Sequence, residues 1–347
     1  MKFKLSTLLC SLAVAQLHAA TPEAAMEAAW MPGADVALNI GVSKILASEL
    51  TVPALSAYIK IKAFVTREGG DFIEMVDDVF ATFNAETFTL SDVMTVFVSG
   101  VSTAGNKNFQ LEGSMAIQFE KPLEVESLRK WAAAIMKNVD AQDAVMESTE
   151  TGARWVCDPH KVRFDLLAGG RVAYVMLEEE FNTALARVEA GTRAEESPAL
   201  KALLDERPAR RGAHIALSEK PVRFFCKMLY NNLRMSYGAV HENILANLNA
   251  LNGVTLGVDC ADSLVAEMTL VFDTPEQAEF TAGFMSSVGF GVAKFYLFNC
   301  AGAVIPVMDS FEVSTHGTTV VLKAEVVAKD LEVLTAGLEK IFRSTKQ

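Results

Sequence analysis

Residues 109–119, Phe109-Gln110-Leu111-Glu112-Gly113-Ser114-Met115-Ala116-Ile117-Gln118-Phe119, read as one strand of a half-buried antiparallel sheet. Side chains along a strand alternate between two faces. Phe109, Leu111, Met115, Ile117 and Phe119 therefore share one face, and Gln110, Glu112, Ser114 and Gln118 share the other. Upstream, Val93 to Val98 is a second apolar strand. Downstream, Glu120-Lys121-Pro122 ends the strand, and Leu123, Leu128, Trp131 and Ile135 then recur at helical spacing, as a stripe that meets a core.

The same order of signals returns later in the chain. Val254 to Val258 and Leu264 to Phe272 form a strand pair around Ala261-Asp262-Ser263, with Leu264, Ala266, Met268, Leu270 and Phe272 pointing inward. Asp273-Thr274-Pro275 follows. Thr274 with Gln277 is a capping box and Pro275 takes the first helical position. Phe280, Phe284, Val288 and Phe295 then recur as a core stripe. Each strand pair is preceded by a short strand, Gly33–Leu38 in one case and Gly212–Leu217 in the other. Each is followed by a hairpin and a helix: Val162–Leu167 and Val172–Leu177 around Gly169-Gly170, then Phe311–Thr315 and Val320–Val326 around His316-Gly317.

An internal duplication accounts for this order. The expected fold is α+β, in two related halves, each an antiparallel sheet with helices packed on one face. The first repeat covers residues 21–190 and the second 212–347. Between them, residues 191–211 form a charged, proline-interrupted linker with a short helix near Ala199–Leu204.

Residues 1–20 have the three parts of a secretory signal peptide. Lys2 and Lys4 supply the charged start, Leu5 to Leu17 the apolar run, and Ala19-Ala20 the small residues at which cleavage is expected. The run is too short for a comfortable membrane span. Val288 to Met308 is the other apolar stretch, but Lys294, Asn299 and Pro306 interrupt it, and it reads as a helix running into a strand. The processed chain is therefore expected to be exported, periplasmic or extracellular, with no stable membrane span.

The chain has 347 residues, 51% of them hydrophobic, with 31 Lys+Arg against 43 Asp+Glu and a net charge of −12. Its mean hydropathy is +0.24. This composition excludes disorder, and the acidic balance argues against nucleic acid, whose phosphates need a basic face.

Four cysteines remain after cleavage: Cys157, Cys226, Cys260 and Cys300. Three full pairings and free thiols all stay open. Cys260 and Cys300 bracket one strand–helix unit and are the candidate disulfide in an oxidising compartment. No C-x-x-C pair occurs.

No catalytic signature is present. Cys157-Asp158-Pro159-His160 reads as a turn between strands, and no second cluster completes a metal site. His214 on its strand faces solvent. His241-Glu242 fails H-E-x-x-H because Leu245 takes the last position, and His316 lies in a hairpin turn. Ser127 and Lys130 match S-x-x-K without the partner motifs. Gly289-Phe290-Gly291 lacks a dinucleotide setting. Glu74-Asp77-Asp78 is the polar side of a helix, and Glu178-Glu179-Glu180 opens another, where negative charge suits the helix dipole. No catalytic, metal or cofactor-binding residue is assigned, and no cofactor is expected.

Ser197-Pro198-Ala199-Leu200-Lys201-Ala202-Leu203-Leu204 before Pro208, the strand His214–Leu217 and the closing hairpin with its helix are the residues that carry a family likeness. The pattern resembles uncharacterised secreted bacterial proteins, filed as domains of unknown function, built from duplicated α+β units. The resemblance implies a bacterial envelope or extracellular protein. It brings no activity and no functional residues.

Three functions remain open. The leading one is a non-enzymatic exported protein, binding or structural in the envelope, with an unknown protein partner. The second is a carrier for a lipid or other apolar ligand, since 14 Met and 21 Phe could line a cavity. The third is a hydrolase whose site is assembled only in the fold.

Overall fold

Strand pairing is made by backbone groups, so register decides which of the alternating faces meet. The computed structural model describes residues 20–50, 88–104, 109–137, 145–157, 160–206, 212–227, 247, 249–260, 262–289, 310–327 and 329. Among them lie twelve strands. In chain order these are β1 (Val36–Ile40), β2 (Val93–Ala104), β3 (Phe109–Phe119), β4 (Val145–Ser148), β5 (Gly152–Cys157), β6 (His160–Leu167), β7 (Val172–Leu177), β8 (Ala213–Ser218), β9 (Leu251–Cys260), β10 (Leu264–Phe272), β11 (Glu312–His316) and β12 (Thr319–Val326). The helices are α1 (Pro22–Ala28), α2 (Val42–Leu46), α3 (Val125–Lys137), α4 (Glu178–Ala190), α5 (Pro198–Glu206), α6 (219–227) and α7 (Pro275–Phe284).

The twelve strands belong to one antiparallel sheet, in the order β11-β12-β10-β9-β8-β1-β2-β3-β7-β6-β5-β4. This corrects the expected α+β fold of two halves, each with its own sheet and helices on one face. Apolar alternation reports which face of a strand is buried. It carries no information on where a sheet ends, because lateral pairing uses N–H and C=O groups that nearly every residue has.

The chain divides into two compact units. The first takes the described residues up to Ser43, those from 88 to Thr103 and those from Gln110 to Pro198. The second takes most of the others, chiefly from Ala199 onward.

The first unit also corrects the one-sided helix layer. On one face of its strands, α3 lays Leu128, Trp131 and Ala132 against Ile117, Phe119, Phe164, Leu166 and Ala173. The expected stripe of Leu128 and Trp131 is thus the core, and Leu123 and Ile135 pack against it. The rings of Phe88, Phe119, Trp131 and Phe164 stand 5.1–6.1 Å apart in tilted and edge-on pairs.

The opposite face was expected to meet water. Its middle is buried under α1 and α4: Ser114 is 2% exposed, and Ala116 and Tyr174 are 0%, whereas Glu112 stays exposed. α1 starts on Thr21, whose side chain accepts from the Ala24 N–H, with Pro22 in the first turn. The carbonyls at and beyond its C-terminal end are taken by side chains of the rest of the unit. Tyr174 donates to Ala25, Ser114 to Ala29 and Arg187 to Trp30, and Ser99 Oγ accepts from the Met31 N–H at 3.0 Å. Short polar residues on this face are therefore buried with partners, which is why their polarity misreads as exposure.

In the second unit, Met268, Leu270 and Phe272 of β10 join Val320 and Leu322 of β12 under α6 and α7. The capping box at Thr274 and Gln277 forms as expected. The core stripe of α7 does not. Ala278 and Ala282 face the sheet, whereas Phe280 and Phe284 are 44% and 38% exposed. The two stripes have the same period, so periodicity cannot choose between them. The side chains of β10 and β12 already fill the layer, and only the small face of the helix fits against them. The other face of this unit is buried too. Thr255, Thr269, Ser218 and His214 are 4% exposed or less, which corrects the solvent-facing reading of His214. A Cβ at Gly253 would lie 2.8 Å from Leu203, so α5 approaches closely on that side.

Candidate functional site

The densest polar constellation among the described residues lies in the first unit, on the face that carries α4. Its charged residues come from four elements. In the β4–β5 and β5–β6 registers, Glu147 stands opposite Arg154, and Arg154 opposite Arg163. Two arginines side by side repel. The first residue of α4 resolves this. Glu178 accepts from Arg154 at 2.9 Å and lies 3.7 Å from Arg163, with Lys161 Nζ at 3.8 Å. Arg154 also donates to Glu147 at 2.9 Å.

Deeper in, Asp165 is fully buried. Its two oxygens accept from Arg163 at 2.7 and 2.9 Å, and from Thr149 at 3.1 Å and Thr151. The Arg163 guanidinium lies 4.5 Å from the centre of the Phe181 ring. Arg129 of α3 holds the turn that carries the two threonines, donating to the carbonyls of Gly152 and Thr149. Gly152 is required where β5 meets β6: a Cβ there would stand 1.8 Å from the Phe164 carbonyl oxygen.

The electrostatics follow from the pairing. The Arg154 hydrogen bond, ahead of every other cause, holds the Glu178 carboxyl below its ordinary range, with Lys161 and Arg163 adding to it. Burial pushes the Tyr174 phenol up, with Arg187 opposing. Neither shift makes a proton donor or acceptor near neutral pH.

A cleft of about 330 Å³ opens beside this cluster, over Met31 and Leu177, with Glu112, Lys161, Glu178, Glu179 and Glu180 around it. Glu178 and Lys161 pair with each other, and Glu180 lies 3.8 Å from Arg187. Glu112 and Glu179 have no ion pair among the described residues. A second hollow, of about 450 Å³, lies by the start of α3, between Glu124, Glu150, Thr151 and the Gly169-Gly170 turn.

Among the described residues, the histidines, cysteines and Ser127–Lys130 pair singled out in the sequence do not come together in one site. Cys157 closes β5 directly opposite His160, which opens β6. Among the described residues, no three His, Cys, Asp or Glu side chains could hold a metal ion. Ser127 and Lys130 lie on α3 beside its buried stripe. His316 ends β11, exposed, before the turn at Gly317. Glu178-Glu179-Glu180 does open a helix, as expected. Cys157, Cys226 and Cys260 are free thiols, and burial raises the last two, with Asp259 adding to the effect at Cys260. Cys300, the candidate partner of Cys260, lies outside the described residues, as do residues 1–19, His241-Glu242, Glu74-Asp77-Asp78 and most of Val288–Met308. No helix of the described residues is long and apolar enough to cross a membrane.

Sequence reasoning missed the arginine–carboxylate cluster. Its signal was Arg163-Phe164-Asp165, two opposite charges on one strand face, with Arg154 on the preceding strand.

No family model, curated protein or solved structure matches the chain.

Proposed function

We propose that the chain is an exported protein that acts by binding rather than by catalysis, in the bacterial envelope or outside the cell. The observation that carries this reading is the Arg154–Glu178–Arg163–Asp165 cluster, in which charges satisfy one another. Glycoside hydrolysis by a carboxylate pair needs one acid held protonated near neutrality. Glu178 is shifted the opposite way by Arg154, and both oxygens of Asp165 are occupied by donors. The carrier alternative draws less support, because the apolar layer between α3 and its strands is filled by four aromatic rings.

Export rests on the pattern of residues 1–20. An origin by duplication is supported by the strand order within each unit. The first runs β1-β2-β3-β7-β6 and continues to β5 and β4, and the second runs β8-β9-β10-β12-β11. Membership among secreted bacterial proteins of unknown function belongs to the same proposal.

Native mass spectrometry of the non-reduced protein, purified from its own host, tests the reading. The expected species begins at Thr21 and carries no small molecule. A discrete apolar ligand released on denaturation would replace binding of a partner by the carrier function. Turnover of an ester, glycoside or peptide substrate that disappears in Glu178→Gln would make the chain an enzyme.

A further inference from the structure

We propose that Asn252-Gly253 is a deamidation site that the folded chain masks, so that unfolding is recorded irreversibly as a new carboxylate on β9. It is the one Asn-Gly pair in the sequence. Asparagine before glycine is labile because no Cβ shields the backbone nitrogen that follows it. That nitrogen attacks the side-chain carbonyl carbon. The new N–Cγ bond closes a succinimide ring, the Cγ–Nδ2 bond breaks, and ammonia leaves with the proton that the Gly253 nitrogen gives up. Water then opens the ring at either carbonyl, which leaves aspartate or isoaspartate. Packing keeps the glycine in place: a Cβ at Gly253 would lie 2.8 Å from both Cδ atoms of Leu203 on α5, which is itself buried.

What the fold adds is a lock on the asparagine. Val271 pairs with Gly253 and Phe272 with Leu251, so Asn252 is the extra residue of a β-bulge in β9. Both ends of its side-chain amide are held. Nδ2 donates to Asp273 Oδ1, and Oδ1 accepts from Arg223 of α6 at 3.3 Å. Cyclisation requires the amide to turn back over the Gly253 nitrogen, and that movement breaks both bonds. The same two partners make the change one-way. A carboxylate at position 252 has no N–H to give Asp273 and faces it as a like charge. Arg223 already pairs with Glu219 at 2.9 Å, so one guanidinium would have to serve three carboxylates. Isoaspartate adds a backbone carbon where β9 is held in register by β8 and β10. The modified chain therefore refolds less stably. This site is independent of what the protein binds.

Peptide mapping by mass spectrometry, with aspartate and isoaspartate resolved, follows Asn252 in the purified chain held at neutral pH, either folded or in guanidinium chloride. Conversion should be slower in the folded chain by roughly tenfold or more, because it proceeds only from the open fraction. Arg223→Met should speed the folded conversion several-fold and leave the rate in guanidinium unchanged. Asn252→Asp imitates one product without ageing. Its denaturation midpoint should fall below that of wild type. Asp273→Asn in the same chain should bring it back, a recovery that general damage to the bulge would not allow. Equal rates in the folded and unfolded chain overturn the proposal, as does a folded rate indifferent to Arg223→Met. An Asn252→Asp chain with the wild-type midpoint overturns the one-way step.

Discussion

Replacing Asp165 by alanine removes the acceptor on which four donors converge. The carboxylate is fully buried, and the Arg163 side chain is only 17% exposed. Two charge-assisted hydrogen bonds from Arg163 are lost, and Thr149 and Thr151 lose their acceptor. Breaking a buried pair by deleting one partner costs about 3–5 kcal/mol, mostly because the other charge is left behind. The lower end applies here, because Glu178 still lies 3.7 Å from Arg163 and the Phe181 ring still covers the guanidinium. About 3 kcal/mol is a large part of the 5–15 kcal/mol that holds a domain together, and it corresponds to a Tm lower by roughly 6–12 °C for a unit of this size. Urea unfolding of wild type, Asp165→Ala, Arg163→Ala and the double variant gives a cycle. The expected coupling is about 1.5–3 kcal/mol at constant m-value. Arg163→Met with Asp165→Leu should return to within about 1 kcal/mol of wild type, since a matched apolar pair avoids the desolvation cost. A cost below about 1 kcal/mol for Asp165→Ala, or strict additivity, would refute the account of a clasp closed by burial.

Glu178 has a folded pKa below its unfolded one, so its contribution is full above the unfolded value of about 4.3 and fades as pH falls through the folded value. The urea midpoint of Glu178→Gln should lie below wild type at pH 7, and the gap should close as pH falls through the folded value, below the ordinary glutamate range; a constant gap would contradict the pairing. Tyr174 is shifted the other way, so its contribution is present below about pH 10 and lost above it. A difference titration at 295 nm against Tyr174→Phe should show no phenolate from this residue until the chain unfolds. Gly152→Ala should cost about 4 kcal/mol or more, or prevent folding, because the clash is with backbone. Gly283→Ala on α7, where a Cβ meets nothing within 4 Å, should instead stabilise by roughly 0.5–1 kcal/mol, and equal effects in a melting assay would discredit the packing that separates them.

Faces were legible in the sequence where long apolar side chains alternated with long polar ones. Ile117 and Phe119 are core, as their alternation with Gln118 indicates, and Leu128 and Trp131 follow from helical spacing. The capping box was legible because it is local: three residues settle it. Ser114 was not legible, because a short polar side chain is cheap to bury once a backbone carbonyl accepts from it, and no pattern along the strand announces that partner. The cluster around Glu178 failed for another reason. Glu147, Arg154 and Arg163 become a row only through two strand registers, and α4 supplies the carboxylate that makes the row tolerable. Pairwise register is a property of the fold and is invisible to a scan for motifs.

The two helices that follow the third strand of each unit differ in what they give the core. α3 comes after β3 and α7 after β10, and each packs on strands that it follows in the chain. α3 seats a tryptophan at 1% exposure between the rings of Phe88 and Phe164 and leaves Glu126 and Lys130 outside. α7, in the same place in its own unit, buries two alanines and leaves two phenylalanines outside. If the units share an origin, this position accepts a helix with its large apolar residues inward, so the fold does not itself require the outward rings. Polar residues there would cost the core nothing and improve solubility.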